Sequence, residues 1–368
     1  MKSICRVGVA AGLAAACGVA SATPCDSALS NYEDAVLGFA PASQATTLLS
    51  AHPECFPAGP LTSRIQINST SFVQAAAIST ALASRWFTDG PVPRADAGLK
   101  GMAAGGVGKA WNVWGSLNKN DTRQSYTAAN TFNSKYDSDI WNTVIGADYA
   151  LSPTMAVGVS AAYDRGDGSG FNANPGNTPN NIDSEGYTIA PYFGMQITKE
   201  LAFDASIGIG RGKISSNANT EAKSDRWFAG ANLAYNRWMG NFQLTGKATY
   251  LHGVEDYENA TDTAVGGTFF GSGARNKIDQ MQAGVQAGYW MNGFMPYAGL
   301  KYSADVTRST SQFGAGTDPI GKHAWVWSLG VNFFSLANGM TGGIVYNQEE
   351  SRSNQKNYSV IANISLRF

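Results

Sequence analysis

The sequence has few charged residues, few cysteines and, beyond its N-terminus, no long apolar run. Charged residues make up 14% of the 368, whereas about a quarter of the residues of a soluble globular protein are charged. The 26 basic residues nearly balance the 27 acidic ones, which argues against a nucleic-acid partner. The lack of a run of about 20 apolar residues excludes a protein built from membrane-spanning helices.

Glycine and aromatic residues are abundant instead. The chain has 42 glycines, 15 tyrosines and 9 tryptophans, and its mean hydropathy is −0.18. Low charge with many aromatic residues is typical of a transmembrane β-barrel, because only every second residue of each strand faces lipid.

The N-terminus has the pattern of a secretory signal peptide. Lys2 and Arg6 precede the small and apolar residues of Val7 to Val19, and Ala20-Ser21-Ala22 forms an A-x-A cleavage site. We therefore predict a signal peptide at residues 1–22 and a mature chain that begins at Thr23.

Two cysteines remain after that cleavage. Cys25 and Cys55 lie in residues 23–68, a short leader broken by prolines. An even pair of cysteines in an oxidising compartment indicates a Cys25–Cys55 disulfide. The leader is too short to form a large core, so the disulfide would compensate for part of that deficit.

A slender helix is predicted after the leader, at Ser69 to Phe87, within a segment 69–108 that ends in a glycine-rich linker. The helix is rich in alanine, and Arg85 is its only charged residue. About 17 helical residues span about 25 Å, which matches the apolar band of an outer-membrane barrel. A small surface helix on the leader is the alternative, but length and slenderness favour a helix inside a pore.

Residues 109–368 contain twelve segments in which apolar and polar residues alternate. Short and long connections between these segments alternate along the chain. The last segment places Tyr358, Leu366 and Phe368 on one apolar face. A β-sandwich would need a dry core, but the second face here is polar. We therefore predict an all-β membrane fold, a twelve-stranded antiparallel transmembrane β-barrel with the N-terminal helix in its lumen.

Several charged residues fall on the predicted lumen face. With Arg85 of the helix, they could hold the helix or line a conduit, or they could pair across the barrel for stability. Both interpretations stay open at this point. The strand residues in question are Asp148, Asp164, Asp204, Lys247, Lys301 and Asp305.

Two motifs are candidates for an active site or an adhesive site. His252 with Glu255 and Asp256 could serve a barrel hydrolase, but no nucleophile of a triad is identifiable. Arg165-Gly166-Asp167 is an RGD tripeptide, predicted to start an extracellular loop and so to offer a host-surface ligand site. Three-residue motifs are common by chance. The sequence predicts no cofactor, no metal site and no enzyme.

The chain resembles the autotransporter translocator domain of Gram-negative bacteria. The resemblance rests on the helix, the opening strand at Ala110 to Gly115, the turn at Leu151 to Gly158 and the terminal strand Tyr358–Phe368. It implies a monomeric barrel in the lipids of the cell outer membrane, with a passenger N-terminal to the helix. It also implies periplasmic chaperones and a barrel assembly machinery that reads the final strand with Tyr358, Leu366 and Phe368.

The sequence departs from that family in two respects. Only residues 23–68 stand where family passengers usually have hundreds of residues. Many relatives cut themselves at an Asn-Asn pair near the helix, but here Asn68 is followed by Ser69, so we predict no self-cleavage. The expected function is display of a short N-terminal segment. The alternatives are an adhesive barrel that acts through its extracellular loops and, third, an outer-membrane hydrolase.

Overall fold

In the computed structural model, twelve long antiparallel strands form a closed barrel around a helix. The structure describes residues 64–87, 110–127, 133–172, 180–216, 220–262, 274–309, 318–335 and 339–368, together with Asn31 and Gln44. The predicted signal peptide, most of the leader with its disulfide, and the linker before residue 110 lie outside the described residues.

The helix, α1, spans Arg64–Trp86. A two-residue strand, Thr261–Asp262, pairs with the long strand Thr220–Met239 beside the barrel wall. The strands are β1 Trp111–Thr127, β2 Asn133–Ser152, β3 Met155–Asn172, β4 Asn180–Gln196, β5 Leu201–Ser216, β6 Thr220–Met239, β7 Phe242–Tyr257, β8 Thr261–Asp262, β9 Ala274–Tyr289, β10 Phe294–Arg308, β11 His323–Ser335, β12 Met340–Glu350 and β13 Gln355–Arg367.

The barrel closes through the first and last strands. Each long strand pairs with its neighbour in the chain, and β1 pairs with β13. The closing ladder ends at the C-terminal residue, where Phe368 N donates to Trp111 O and Trp111 N donates to Phe368 O, both at 3.1 Å. Each of the twelve long strands that the structure describes pairs on both sides, as a barrel in lipid requires. The predicted fold class is therefore confirmed.

Alternation along the strands separates an outer apolar face from an inner polar one. On β3, Val157 and Val159 point outward and Val159 is 50% exposed, whereas Ser160 and Asp164 point inward and are at most 1% exposed. An apolar exterior with a polar interior matches a barrel that faces lipid and encloses a wet lumen.

Exposed aromatic residues form two belts on the outer face. Along β2, Tyr149 and Trp141 are eight positions apart, which corresponds to about 26 Å of strand and to the apolar band of such barrels. One belt lies level with the short turns, which we call the turn end; the other lies toward the long hairpins, which we call the hairpin end. The belts contain Trp111, Tyr149, Phe242, Tyr289, Phe294 and Phe368 at the turn end, and Trp141, Tyr163, Tyr187, Trp227, Tyr250, Tyr302 and Trp325 at the hairpin end.

Several strands run well beyond the aromatic belt at the hairpin end, so the predicted loops are too long. The apolar–polar alternation in the sequence predicts long loops at 119–139 and 167–185. In the structure β1 continues to Thr127 and β2 begins at Asn133, and β3 and β4 likewise extend into 167–185. Outside the apolar band the outward positions can be polar, and the ladder continues without an apolar face. A pattern based on apolar alternation misses such strand ends.

The turn end has tight connections. Asn292 and Gly293 link β9 to β10, and both have positive φ angles, 47° and 97°. Two central residues with positive φ define the hairpin turn whose twist matches that of the strands, and Asn-Gly is its preferred sequence.

The helix α1 begins at Arg64, five residues before the predicted start at Ser69, and ends one residue before Phe87. None of the helices among the described residues is long and apolar enough to cross a membrane. Alanine and leucine are strong helix formers, and the small alanine side chains keep α1 narrow enough for the lumen.

A charge in the middle of the outer face should destabilise the barrel. Ile145 is 62% exposed midway between the two belts of β2. We expect Ile145→Arg to lower the free energy of unfolding in lipid vesicles by about 2–4 kcal/mol, measured by denaturant titration of tryptophan fluorescence. Ser169→Arg, outward on β3 beyond the belt, is the matched control and should cost less than about 1 kcal/mol. Equal losses in both variants would contradict the assigned lipid face.

Candidate functional site

The helix lies in the lumen and packs mainly against strands β1 to β7. Ile78 and Leu82 are fully buried in this contact. Glycine in the barrel wall lets Leu82 and Trp86 of the helix approach closely: a Cβ on Gly194 would stand 2.7 Å from Leu82 Cδ1 and from Trp86 Cη2. Those distances are shorter than any van der Waals contact, so this wall fits the helix only because glycine occupies the position.

A buried ion pair joins the end of the helix to β2. Arg85 Nε donates to Asp148 Oδ1 at 2.9 Å. Asp148 also accepts from Asn112 Nδ2 at 2.9 Å and from Tyr192 OH at 3.3 Å, while Trp114 Nε1 donates to Tyr192 OH at 2.8 Å. Because the carboxylate is fully buried, its charge depends on the Arg85 guanidinium and on these donors.

The terminal strand caps the same end of the helix. Arg367 of β13 donates from Nη2 to Ser84 O at 2.7 Å and from Nη1 to Arg85 O at 3.1 Å. The last carbonyls of a helix have no partner within it and carry partial negative charge, so a guanidinium there is favourable. Arg85 Nη2 in turn donates to Ala110 O at 2.8 Å, just before β1. The C-terminal end of α1 therefore sits at the turn end.

Polar contacts continue along the helix toward the hairpin end. Ser79 Oγ donates to Asp204 Oδ2 at 2.8 Å, and Asn232 Nδ2 donates to Asp204 Oδ1 at 2.7 Å. Gln74 Nε2 donates to Ser160 Oγ at 3.0 Å. These side chains fix the height of the helix as well as its rotation, because a shift by one turn would separate all of them.

Two of the predicted lumen charges pair along the wall instead. Asp164 accepts from Arg226 Nη1 at 2.7 Å, and the same guanidinium donates from Nε to Glu255 Oε1 at 2.5 Å. Asp305 accepts from Arg308 and from Arg352, both at 2.8 Å. These networks tie neighbouring strands together near the hairpin end and do not involve the helix.

Within the described residues, Lys247 and Lys301 form neither a hydrogen bond to the helix nor an ion pair along the wall. Both side chains face the lumen and are partly exposed. A polar cleft of about 140 Å³ lies beside Phe72, Val73 and Ala76 of the helix, on the side away from β2 to β6. Its other walls contain Asn118, Asn120, Gln280, Gln282, Lys301, Val326, Asn347, Glu349, Asn357, Ser359 and Ile361.

The structure does not assemble the histidine site considered from the sequence. Glu255 points inward, bound by Arg226, whereas His252 points outward. His252 Nδ1 contacts Asp279 Oδ1, and its ring lies 4.7 Å from that of Trp227. Because side chains of a strand alternate between its two faces, His252 and Glu255, three positions apart, cannot meet.

The RGD tripeptide is not in a loop, so that prediction is wrong. Arg165, Gly166 and Asp167 lie within β3 and pair on both sides, with β2 and β4. Arg165 and Asp167 point outward and Gly166 is buried. The tripeptide is extended in a ladder rather than presented at a turn, because polar strand ends continue the pairing beyond the belt.

The three residues expected to mark the final strand share its outer face. Leu366 and Phe368 are exposed there, and Tyr358 is half-buried. Sequence reasoning missed Arg367 and the helix residues Gln74 and Ser79. The alternation along β13 places Arg367 on the inner face, but the group that Arg367 contacts depends on where the helix ends.

Comparisons with known proteins agree with this geometry. The sequence model described as "Autotransporter beta-domain" matches residues 113–347, more than half of the chain. The chain belongs to the autotransporter β-domain family. No curated protein matches significantly.

Solved autotransporter structures have a similar fold. The translocator domain of autotransporter NalP from Neisseria meningitidis is 14% identical with a TM-score of 0.52, covering 70% of this chain and 89% of that one. The transport unit of AIDA-I from Escherichia coli is 12% identical with a TM-score of 0.52, covering 80% and 99%. The β-domain of the Bordetella autotransporter BrkA is 13% identical with a TM-score of 0.50, covering 70% and 100%.

Family membership places this β-domain in the outer membrane, so the predicted location is confirmed. Autotransporter translocator barrels are transport units. Within the described ranges, no group of three histidine, cysteine, aspartate or glutamate side chains could hold a metal ion. The lumen with its helix is therefore the candidate functional site.

Loss of the Arg85 guanidinium should release the helix. Arg85→Met leaves the buried Asp148 carboxylate without its cation, and removal of one partner of a buried pair typically costs about 3–5 kcal/mol. We expect the variant to show larger and more frequent conductance openings in planar bilayers than the wild-type β-domain.

Two further variants test the cause. Arg85→Met with Asp148→Asn removes the uncompensated charge, so the size and frequency of its conductance openings should return close to those of the wild type. Arg165→Met, on the outer face, should leave the current unchanged. If the conductance openings of the Arg85→Met variant are as small and as rare as those of the wild type, the pair does not anchor the helix.

Proposed function

We propose that this autotransporter β-domain anchors the chain in the outer membrane and carries the segment N-terminal to α1, residues 23–68, to the cell surface. The helix is the last part of the transported segment and stays in the lumen. The direction of the helix is the observation that carries this proposal.

Contacts at both ends of α1 give its direction. Ser84 and Arg85 lie at the turn end, bound by Arg367 next to the C-terminus. Phe72 and Val73 lie in the same cleft as Asn120, which pairs with Ile140 at the level of the other belt. The N-terminal end of α1 therefore points toward the hairpin end.

The hairpin end is the cell surface in this proposal. Outer-membrane barrels place their short turns in the periplasm and their longer connections outside. With this orientation Phe368 lies at the periplasmic rim, and residues N-terminal to Arg64 reach the exterior without further crossing.

The same proposal includes the partners that the family implies. A periplasmic assembly machinery and chaperones would handle the unfolded barrel and read the outer face of β13 at Tyr358, Leu366 and Phe368. The outer apolar face would contact lipid directly. Because the wall closes within one chain, a monomer suffices for the barrel.

A second function has one observation in its favour. The hairpins that extend beyond the outer belt expose paired strands, such as β3 with β4 up to Gly170, and this surface could bind a ligand on its own. In that case residues 23–68 would not need to reach the surface, and the two functions differ in the location of Thr23.

An epitope tag inserted after Thr23 separates these functions. If residues 23–68 are displayed, antibody should bind the tag on intact cells as strongly as on permeabilised ones, because the tag lies outside the membrane. The same tag inserted between Gly240 and Asn241, in a turn that the proposal assigns to the periplasm, should bind antibody only after permeabilisation. A Thr23 tag that also requires permeabilisation would contradict display and favour the adhesive barrel.

A further inference from the structure

Two lysines face each other in the lumen across a glycine. Lys247 of β7 is directly opposite Gly284 of β9, and Gly284 is directly opposite Lys301 of β10. All three positions lie on the inner face. The two lysine Cα atoms are two strand spacings apart, about 10 Å, so their long flexible side chains can bring both ammonium groups over Gly284.

Neither lysine of the pair forms a salt bridge within the described part of the protein. Neither Nζ atom lies within 4.0 Å of a carboxylate oxygen there, and neither donates a hydrogen bond, although the other lumen cations Arg85, Arg226 and Arg352 do both. The charge of Lys247 instead acts on Lys301 through space. Two like charges in this position repel each other and hold unused donors.

The nearest carboxylates are already engaged. Asp204, which acts on Lys247 electrostatically, accepts hydrogen bonds from Ser79 and Asn232. Glu349, which acts on Lys301, accepts from Arg352 and Gln355 at 2.9 and 3.0 Å. Asp204 offsets part of the charge of Lys247 from a distance, and Glu349 is shared between Lys301 and Arg352, but neither carboxylate contacts a lysine ammonium group directly.

Lys301 packs directly against Gly284, and polar side chains flank the pair. A Cβ on Gly284 would clash with the backbone and Cβ of Lys301, so only glycine fits between them. Gln282 and Gln286 lie on either side of Gly284 on the same face of β9, and Gln282 lines the cleft together with Lys301. Amide groups next to ammonium groups can donate to the oxygens of an anion.

We propose that Lys247, Lys301 and the adjacent glutamines of β9 form a binding site for a small inorganic oxyanion of the phosphate or sulfate class. The anion would lie in the cleft beside Lys301 and Gln282, within reach of the long side chain of Lys247, and accept hydrogen bonds from both ammonium groups. It would accept hydrogen bonds from ammonium donors that no described side chain engages. This site is independent of whether residues 23–68 are displayed.

Equilibrium dialysis of the purified full-length β-domain with radiolabelled inorganic phosphate tests the site. We expect saturable binding of one phosphate per chain. Lys247→Gln and Lys301→Gln should each weaken binding about ten- to one-hundredfold, because a hydrogen bond to a charged group is worth about 1.5–3 kcal/mol. Sulfate should compete for the site. Vesicles with anionic phospholipid should not, since the lumen excludes lipid.

Lys119→Gln is the matched control, because Lys119 is a partly exposed lysine on the outer face over Trp141. It should bind phosphate like the wild type. Heat-modifiable migration on gels establishes that each variant is folded. The proposal is overturned if the wild-type protein shows no saturable binding, if competition comes from lipid, or if folded Lys247→Gln and Lys301→Gln variants bind as tightly as Lys119→Gln.

Discussion

The need to pair every backbone amide within the apolar band determines the rest of this structure. Lipid offers no hydrogen-bond partner, so a sheet can cross only when its first and last strands meet. Here that closure runs the full length of β13, from Gln355 to Arg367, and ends in two hydrogen bonds between Trp111 and Phe368. The C-terminal residue is thus a structural part of the wall rather than a loose end.

Closure also creates the space in which the helix lies. A ring of twelve strands leaves a lumen too wide for its own side chains to fill, and α1 occupies part of it. The inner face that receives the helix is not uniform: glycine at position 194 makes room for Leu82 and Trp86, whereas Asp148 and Asp204 bind Arg85 and Ser79. Shape and charge together select one position for the helix.

The same arrangement links the strand that closes the barrel to the segment inside it. Arg367 stands between Leu366 and Phe368, which face outward, and reaches the last carbonyls of α1. One strand therefore faces lipid on one side and caps the helix on the other. On the other side of the helix, Lys301 lies beside the cleft that the helix leaves open.

Much of the fold could be predicted from the sequence, because alternation and connection length are local properties. The twelve strands, the location of the helix between leader and barrel, and the inward position of Asp148 all follow from them. The polar extensions of β1 to β4 could not be predicted, since beyond lipid no apolar face marks a strand. The partner of Asp148 could not be predicted either, because it depends on the height and rotation of the helix within the closed ring. His252 shows the same limit: Glu255 lies on the other face of β7, and the partner of His252, Asp279, comes from another strand.

The central claim is that α1 lies in the lumen against the β1 to β7 wall. A Cβ on Gly230 would lie 3.3 Å from the Cβ of Ala75, close to the separation in a disulfide. The decisive measurement uses Ala75→Cys with Gly230→Cys and a protease site inserted in the linker between α1 and β1. After cleavage, the account predicts that helix and barrel fragments stay joined on a non-reducing gel and separate on a reducing one. Ala75→Cys with Asn347→Cys, across the cleft, should not join them. Separation of the Ala75→Cys and Gly230→Cys fragments without reductant, or joining only in the Asn347→Cys variant, would contradict the account.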